Sequence, residues 1–572
     1  MRRHAPHSQE LLFPPMIQLG AITHAERRKL GRFDSPRPLA QALADWAILR
    51  VSDRVLEPSS GGGVIVKSAI SRLLEIGATQ PEKQIWACDI DPRALAETAE
   101  CNGPHAPHLV LGNFLTRQQS DFGDRTFNVI LGNPPYVRLH TMETEDRVLA
   151  RKTVPSSCKL DAKASLWAYF PLHAFKFLSP GGRMGWILPE TILHARYGRE
   201  ILDWATQNFD KCVAVSLRER CFESEGAKER VVVLLLVGAG GKAAKGVEMV
   251  EFSSAQECIA SLPKLATTKS PGLPQLNGHA VPHLVSDVAA TAAQVLEDSE
   301  ELKRFCDYAD IRIGVVTGNN KFFVLDDQQR ASAQLNRRHF KRIISKFTDL
   351  GDSIAFSAKN FEKASNTNRK TWLLCPNPNS VDRRLARHLK AYGKTAIETN
   401  RTMEKRSHWQ VPVLGEPPDA FFRYMGKIGP RIVLNDAGYF CTNTIHRVFF
   451  RKGVSKAMKQ AICLSLHSSY SQLYAEFEGR QYGSGVLKFE PSESKRLLFA
   501  LNEPLIMALS VLWTKIIKNG EPTSWEEIVP EIDSAIITHC PKLAKSLPIK
   551  RVRDLLIKVR QRRHSVYLAK GM

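Results

Sequence analysis

The sequence predicts an α/β protein: one domain built on a mostly parallel sheet, followed by a second, mixed α+β domain. Three observations carry that expectation. From Gly31 to about Val237, short apolar runs alternate with helix-like segments, as helices packed on a parallel sheet require. After Val237 come "GAGGKAAKG" and "LATTKSPGLPQLNGHAVP", rich in turn formers and without period, which break the pattern. From about Ser299 onward strands and helices mix irregularly and basic clusters recur. The expected division is an N-terminal extension over 1–30, a first domain over 31–240, a linker over 241–298 and a second domain over 299–572 with a helical C-terminal part.

The strand candidates in the first domain are "RVLEPS", "IWACDID", "HLVLGNFL", "FNVILGN", "RMGWILP", "CVAVSL" and "RVVVLLLV". Their β-branched and aliphatic content suits strands buried on both faces. Helix candidates lie between them, clearest at "VIVKSAISRLLEIG", "PRALAETAE" and "SLWAYFPLHAFKFL". Only a short connection separates the last two strands, so the sheet is expected to end in a hairpin. In the second half, "RRHFKR" (Arg337 to Arg342), "RRLARHLK" (Arg383 to Lys390) and "KRVRDLLIKVRQRR" (Lys550 to Arg563) are the basic clusters. Each reads either as a DNA contact or as a solvated face.

Composition narrows the function classes. With 43% hydrophobic and 24% charged residues, the chain reads as globular rather than disordered. It has no apolar run of about 18 residues, and its start, "MRRHAPHSQELLFPPMIQ", lacks the apolar core of a secretory signal. An intracellular, cytoplasmic protein is expected. The 11 cysteines are scattered without a C-x-x-C pair, which argues against a disulfide framework or a zinc site. The net charge of +22, from 80 Lys and Arg against 58 Asp and Glu, attracts polyanions, of which nucleic acid is the common soluble example.

Four strand ends carry chemistry-bearing residues. "VLEPSSGGGVIV" (Val55 to Val66) runs strand, glycine turn, helix start. In an open α/β sheet that turn lies at the carboxyl edge where ligands bind, and glycines admit a ligand close to the backbone. It is neither G-x-G-x-x-G nor a P-loop, since no Lys-Ser or Lys-Thr follows. Asp89 ends the second strand, where a carboxylate commonly accepts ribose hydroxyls. Asn113 and Phe114 end the third, where a purine could be hydrogen-bonded on an edge and stacked on a face. The fourth ends in Asn133, Pro134, Pro135 and Tyr136. Two prolines force a rigid, extended exit from the strand.

Taken in order, "GRFDSP" (Gly31 to Pro36), "LEPSSGGG", "CDIDP", "GNFL", "NPPY" and "PGGRMGWILP" (Pro180 to Pro189) resemble the class I S-adenosylmethionine-dependent DNA adenine-N6 methyltransferases of gamma type, from bacterial restriction-modification systems. The resemblance implies a Rossmann-like methyltransferase domain and a C-terminal target-recognition domain. "DIRIGVVTGNNKFFVLD" and "YGSGVLKFEPSESKRL" look like segments of the latter. It also implies S-adenosylmethionine as cofactor, with no metal, and double-stranded DNA as substrate. A separate restriction endonuclease and a monomeric state go with it. The cofactor-binding residues so implied are Ser35, Pro36, Glu57, Pro58, Gly61, Gly63, Asp89, Ile90, Asn113, Phe114 and Asn133. The catalytic set is Asn133, Pro134, Pro135 and Tyr136, with Phe222 as a second aromatic. Two departures stand out: Asn113 replaces the usual Asp, and Ser35 replaces a frequent Thr.

Asn-Pro-Pro-Tyr suits amine methylation because the exocyclic amine of adenine has its lone pair conjugated into the ring. Two fixed acceptors, the Asn133 side-chain oxygen and the Pro134 carbonyl, would draw its hydrogens and free that lone pair. Tyr136 would stack on a base turned out of the duplex. Methylation of RNA, of a protein glutamine or of cytosine N4 remains open on the same chemistry, as does a non-catalytic DNA-binding subunit.

Overall fold

The computed structural model describes residues 26, 31–137, 142, 144–217, 230–266, 281, 285–365, 367, 369–482, 485–519 and 524–568. The chain forms two compact units, Met1–Gly278 and His279–Met572. Of the expected 1–30 extension, all but Glu26 lies outside the described residues.

The first unit is organised by an eight-stranded sheet. Its strands are β1 (Val55–Glu57), β2 (Ile85–Asp89), β3 (His108–Leu111), β4 (Phe127–Gly132), β5 (Leu178–Pro189), β6 (Phe209–Leu217), β7 (Val231–Ala239) and β8 (Val247–Phe252). They lie in the order β3-β2-β1-β4-β5-β7-β6-β8. Strands β1 to β5 are mutually parallel. β7 inserts antiparallel between β5 and β6, which makes the expected hairpin. All seven strand candidates form strands, and the order reverses between β1 and β4. That reversal opens a crevice at the carboxyl ends of the strands.

The helices follow from their sequences. α1 (Arg37–Ala47) begins after Pro36 and buries Leu39, Leu43 and Trp46. α2 (Val64–Glu75) buries Ile65, Val66, Ala69, Ile70 and Leu73, one face at helical spacing. α3 (Pro92–Asn102) has proline at its first position, and its N-cap Asp91 accepts from the Arg93 amide. "SLWAYFPLHAFKFL" is broken rather than continuous. A 3-10 turn at Leu166–Ala168 leads into α4 (Tyr169–Ala174) and a second 3-10 turn at Phe175–Phe177. Every residue of α4 is buried, so packing on all sides decides its path.

The expected linker is in part folded. β8 joins the sheet parallel to β6, from Cys212↔Val247 to Leu217↔Phe252, and α5 (Ala255–Ser261) follows. "GAGGKAAKG" is thus the turn between β7 and β8. α6 (Asp287–Asp298), also within 241–298, belongs to the second unit and buries Ala289, Ala292, Ala293 and Leu296.

The second unit is mixed α+β, as expected. A five-stranded sheet runs through Ala309–Ile313, His446–Phe450, Ala420–Phe422, Ile432–Asn435 and Ala355–Phe356. A four-stranded sheet runs through Val324–Leu325, Trp372–Leu374, Phe340–Ile344 and Phe440–Cys441. Its C-terminal part is helical and ends in the long helix Ile549–Leu568. That helix turns part of its basic face inward, while Lys550, Arg551, Arg553 and Lys558 stay exposed. Arg563, 1% exposed, pairs with buried Glu476 at 2.8 Å, Arg560 joins the same carboxylate at 3.1 Å, and Arg553 reaches buried Asp533 at 2.7 Å. Buried charges need such partners. By contrast Arg383 and Arg384, opening the helix Arg383–Lys390, are exposed. Among the described residues no helix is long and apolar enough to cross a membrane.

Candidate functional site: a cavity at the strand tips

A cavity of about 390 Å³ opens at the switch point, within the size range of small-molecule sites. Its lining comes from the entry segment 32–35, the turn after β1, and the tips of β2, β3 and β4, joined by Met142, Asp146, Leu166 and Phe170. Of the residues named from sequence it collects Ser35, Glu57, Pro58, Gly61, Asp89, Ile90, Asn113, Phe114, Asn133 and Pro135. Pro36, Gly63, Pro134 and Tyr136 are not on the lining, and Phe222 lies outside the described residues.

The glycine turn divides its labour. Gly61 has φ +53°, and a Cβ there would stand 3.3 Å from Asp34 Oδ1 and 3.5 Å from Arg32 Nε, at the cavity side. Gly63 has φ +73° as N-cap of α2, and its Cβ would strike Thr98 Cα at 2.9 Å. Gly63 therefore serves the packing of α2 on α3. The turn is tied to β2 twice, by Ser60 N–H to Cys88 O at 3.0 Å and by Gly61 N–H to Asp89 at 2.9 Å.

Carboxylates dominate the electrostatics. Glu57 is fully buried and its Oε2 has no partner. Burial pushes its carboxyl well above the usual range, and neighbouring Asp89 adds to the rise. Burial also raises Asp89, against the main-chain amides of Asp91 and Gly61 that it accepts. Asp34, Asp91 and Asp146 complete the acidic lining. Among the described residues the one basic residue on it is Arg32, which is not among the residues named from sequence. Burial disfavours its charge, but Glu97, Asp34 and Asp89 together hold the guanidinium above the usual arginine range.

At the tip of β3, Asn113 Oδ1 accepts from Leu115 N–H at 3.0 Å and caps the following turn. Its side-chain nitrogen is thereby the group left over. Phe114 is 2% exposed. Its ring stacks on Phe170 at 5.8 Å and meets His173 edge-on at 5.1 Å, so it bounds the cavity as part of an aromatic wall.

Asn-Pro-Pro-Tyr is fastened to the entry segment. Asn133 Nδ2 donates to Phe33 O at 2.8 Å and to Ser35 Oγ at 3.1 Å. Tyr136 N–H donates to Gly31 O at 3.0 Å, and the Tyr136 ring lies 5.8 Å from that of Phe33. The Tyr136 hydroxyl donates to Ile187 O at 3.2 Å. None of the described residues donates to the Pro134 carbonyl or to Asn133 Oδ1.

Two family models match the chain, one in each unit. Residues 83–222 match the Eco57I restriction-modification methylase, and 278–537 match the C-terminal domain of type II methyltransferase M.Eco57I. Each half of the chain is thus similar to restriction-modification methylases of the Eco57I type. The chain is 21% identical over 504 residues to type II methyltransferase M.AccI of Acinetobacter calcoaceticus, covering 86% of this chain and 88% of that one. It is 22% identical over 522 residues to type II methyltransferase M.XamI of Xanthomonas campestris pv. amaranthicola, with the same coverage. Among solved structures it resembles the type IIL restriction-modification enzyme MmeI in complex with DNA, at TM-score 0.50 and 12% identity, over 95% of this chain and 73% of that one. That likeness bears on the fold.

A methylase of this family depends on S-adenosylmethionine, and the cavity fits such a molecule. It offers an aromatic wall at Phe114, a carboxylate at the end of β2, a turn without a Cβ at Gly61, and two buried polar atoms without partners, Glu57 Oε2 and Arg32 Nη1.

Proposed function

We propose that the protein methylates the N6 amine of adenine in double-stranded DNA, as the protective enzyme of a restriction-modification system whose endonuclease is a separate protein. The observation that carries this reading is the fastening of Asn133. Both bonds from its Nδ2 go to the entry segment, so Oδ1 is left as a fixed acceptor at the cavity. Pro134 O stands next to it in the chain, held by the ring on either side of its peptide.

In this reading the two oxygens accept the two hydrogens of the target amine and turn its lone pair out of conjugation. Because both are set before the base arrives, little reorganisation accompanies attack. S-adenosylmethionine, when bound, supplies an electrophilic methyl group. Glu57, Asp89 and Asn113 position it, with Gly61, Pro58, Ile90 and Ser35 shaping the site and Pro36 starting the helix behind it. Phe114 closes one side against water. The target base must leave the duplex, and Tyr136 faces it, with Phe222 as the opposing aromatic. The second unit reads the target sequence, its exposed basic residues meeting phosphates.

Methyl-sensitive sequencing of DNA from a methylation-free host that expresses the chain tests the reading. A single sequence context carrying N6-methyladenine is expected. Methylcytosine, or methyl groups on RNA or protein with none on DNA, would overturn it.

A further inference from the structure

We propose that Arg32 is the carboxylate receptor of the cavity and holds the α-carboxylate of the methionine moiety of S-adenosylmethionine. The inference rests on the cofactor reading above and adds the residue that decides which end of the molecule lies where.

Three observations converge on Arg32. Its side chain is 10% exposed, with Nη2 on Glu97 at 2.5 Å and Nε on Asp34 at 3.4 Å. Its remaining nitrogen, Nη1, is buried without a partner. A buried donor left unmade is costly, and Arg32 is one of the residues that line the cavity.

The second observation is placement. A Cβ on Gly62 would stand 3.3 Å from Arg32 Nη2, and one on Gly61 3.5 Å from Nε. The guanidinium thus lies over the glycine turn, beside the start of α2, where main-chain amides also favour an anion.

Charge supplies the third. Among the described residues, the other ionisable lining groups are Asp34, Glu57, Asp89, Asp91 and Asp146, all acids. A sulfonium and an ammonium suit such a wall, whereas among the described lining residues a carboxylate finds an opposite charge at Arg32. A molecule carrying two cationic groups and one carboxylate is thereby oriented with its carboxylate toward Arg32. Glu97 and Asp34 act as positioning residues, turning the guanidinium so that Nη1 remains for the ligand.

The test uses the full chain and two probes that differ only in the carboxylate, S-adenosylmethionine and its decarboxylated analogue, in calorimetric titrations. The unmodified protein should bind S-adenosylmethionine about ten- to a hundred-fold tighter than the analogue, the scale of a charge-assisted bond. Arg32→Met should remove that difference by weakening S-adenosylmethionine alone, and Arg32→Lys should restore part of it. Parallel weakening of both probes by Arg32→Met would mean that Arg32 only shapes the wall, and would overturn the assignment. Equal affinity of the unmodified protein for both probes would do the same without any variant. A chain that binds neither probe would overturn the cofactor reading itself.

Discussion

The side-chain nitrogen of Asn133 donates both to the carbonyl of Phe33 and to the hydroxyl of Ser35, at 2.8 and 3.1 Å. An amide held by its nitrogen cannot flip, so its oxygen has one direction to face. Asn133→Ala should slow single-turnover methylation by about two or more orders of magnitude, the scale for losing one preorganised polar contact, with DNA and cofactor affinity retained. Asn133→Asp should be as slow, because an oxygen in place of Nδ2 would confront the Phe33 carbonyl. An Asn133→Ala protein with unchanged single-turnover rates would remove this residue from the chemistry.

Tyr136 combines two roles that mutation can separate. Tyr136→Phe deletes the bond to Ile187 O and should cost about 0.5–1.5 kcal/mol in urea unfolding, while methylation persists because the ring remains. Tyr136→Ala should in addition reduce base extrusion, read from a fluorescent adenine analogue at the target position. Full fluorescence enhancement in the alanine variant would show that another side chain holds the base.

The two turn glycines should fail differently. Gly63→Ala must push against the Thr98 backbone at positive φ, a strain of about 1–3 kcal/mol, and should lower the melting temperature while the folded fraction still binds cofactor. Gly61→Ala carries positive-φ strain too but meets only side-chain atoms, so it should cost less stability than Gly63→Ala and weaken cofactor binding more. Calorimetry alongside thermal melts distinguishes them. The same loss pattern in both variants would contradict the division.

Glu57 gives the site a pH signature. Its folded-state pKa is raised, by burial first and by Asp89 second. The ligand-free protein therefore binds this proton more tightly than the unfolded chain does. The stability this contributes is complete below the ordinary glutamate pKa and is lost as pH rises through the folded-state value. Glu57→Gln keeps the neutral form at every pH. It should flatten the fall in melting temperature with rising pH, by about 2–4 °C per kcal/mol recovered, and should weaken cofactor binding. Parallel melting curves for the two proteins across pH would refute the assignment.

In the second unit, charge reversal at exposed Arg383 and Arg384 should lower DNA affinity. It should also flatten the salt dependence by about 0.9 logarithmic units for each phosphate no longer neutralised, leaving cofactor titrations unchanged. An unaltered salt slope would return this helix to solvent.

The first unit was legible where a single local signal determined the outcome. Continuous apolar runs such as "RVVVLLLV" can only be buried strands or buried helix, and their lengths settled the matter. "VEMVEF" escaped because it is short, carries two glutamates and follows a glycine-rich stretch, so composition outweighed pattern. Its strand exists because β6 offers an edge, which is tertiary information. The break in "SLWAYFPLHAFKFL" likewise comes from surroundings that bury every side of α4. At the cavity, residues fixed by their own turn, such as Asp89 and Asn133, could be named from sequence. Arg32 could not, because its meaning depends on Glu97, 65 residues away. The C-terminal basic cluster misleads in the opposite sense. Arg560 and Arg563 look like surface charge until Glu476 is seen beneath them, whereas Arg553 is exposed and still pairs with buried Asp533.

The insertion of β7 between β5 and β6 also sets a schedule for synthesis. Every described residue lining the cavity, from Arg32 to Phe170, leaves the ribosome before Val231. Yet β5 pairs on its outer side only with β7, Arg183↔Val237 through Pro189↔Val231. Until that later segment emerges, β5 presents an apolar edge with unmade main-chain bonds, an invitation to pair with another nascent chain. β6 arrives first but is not the neighbour β5 needs. The hairpin must fold back on itself, β7 inward, before the sheet has a closed middle. The ligand cavity is thus encoded early but rests on a sheet that the chain finishes late.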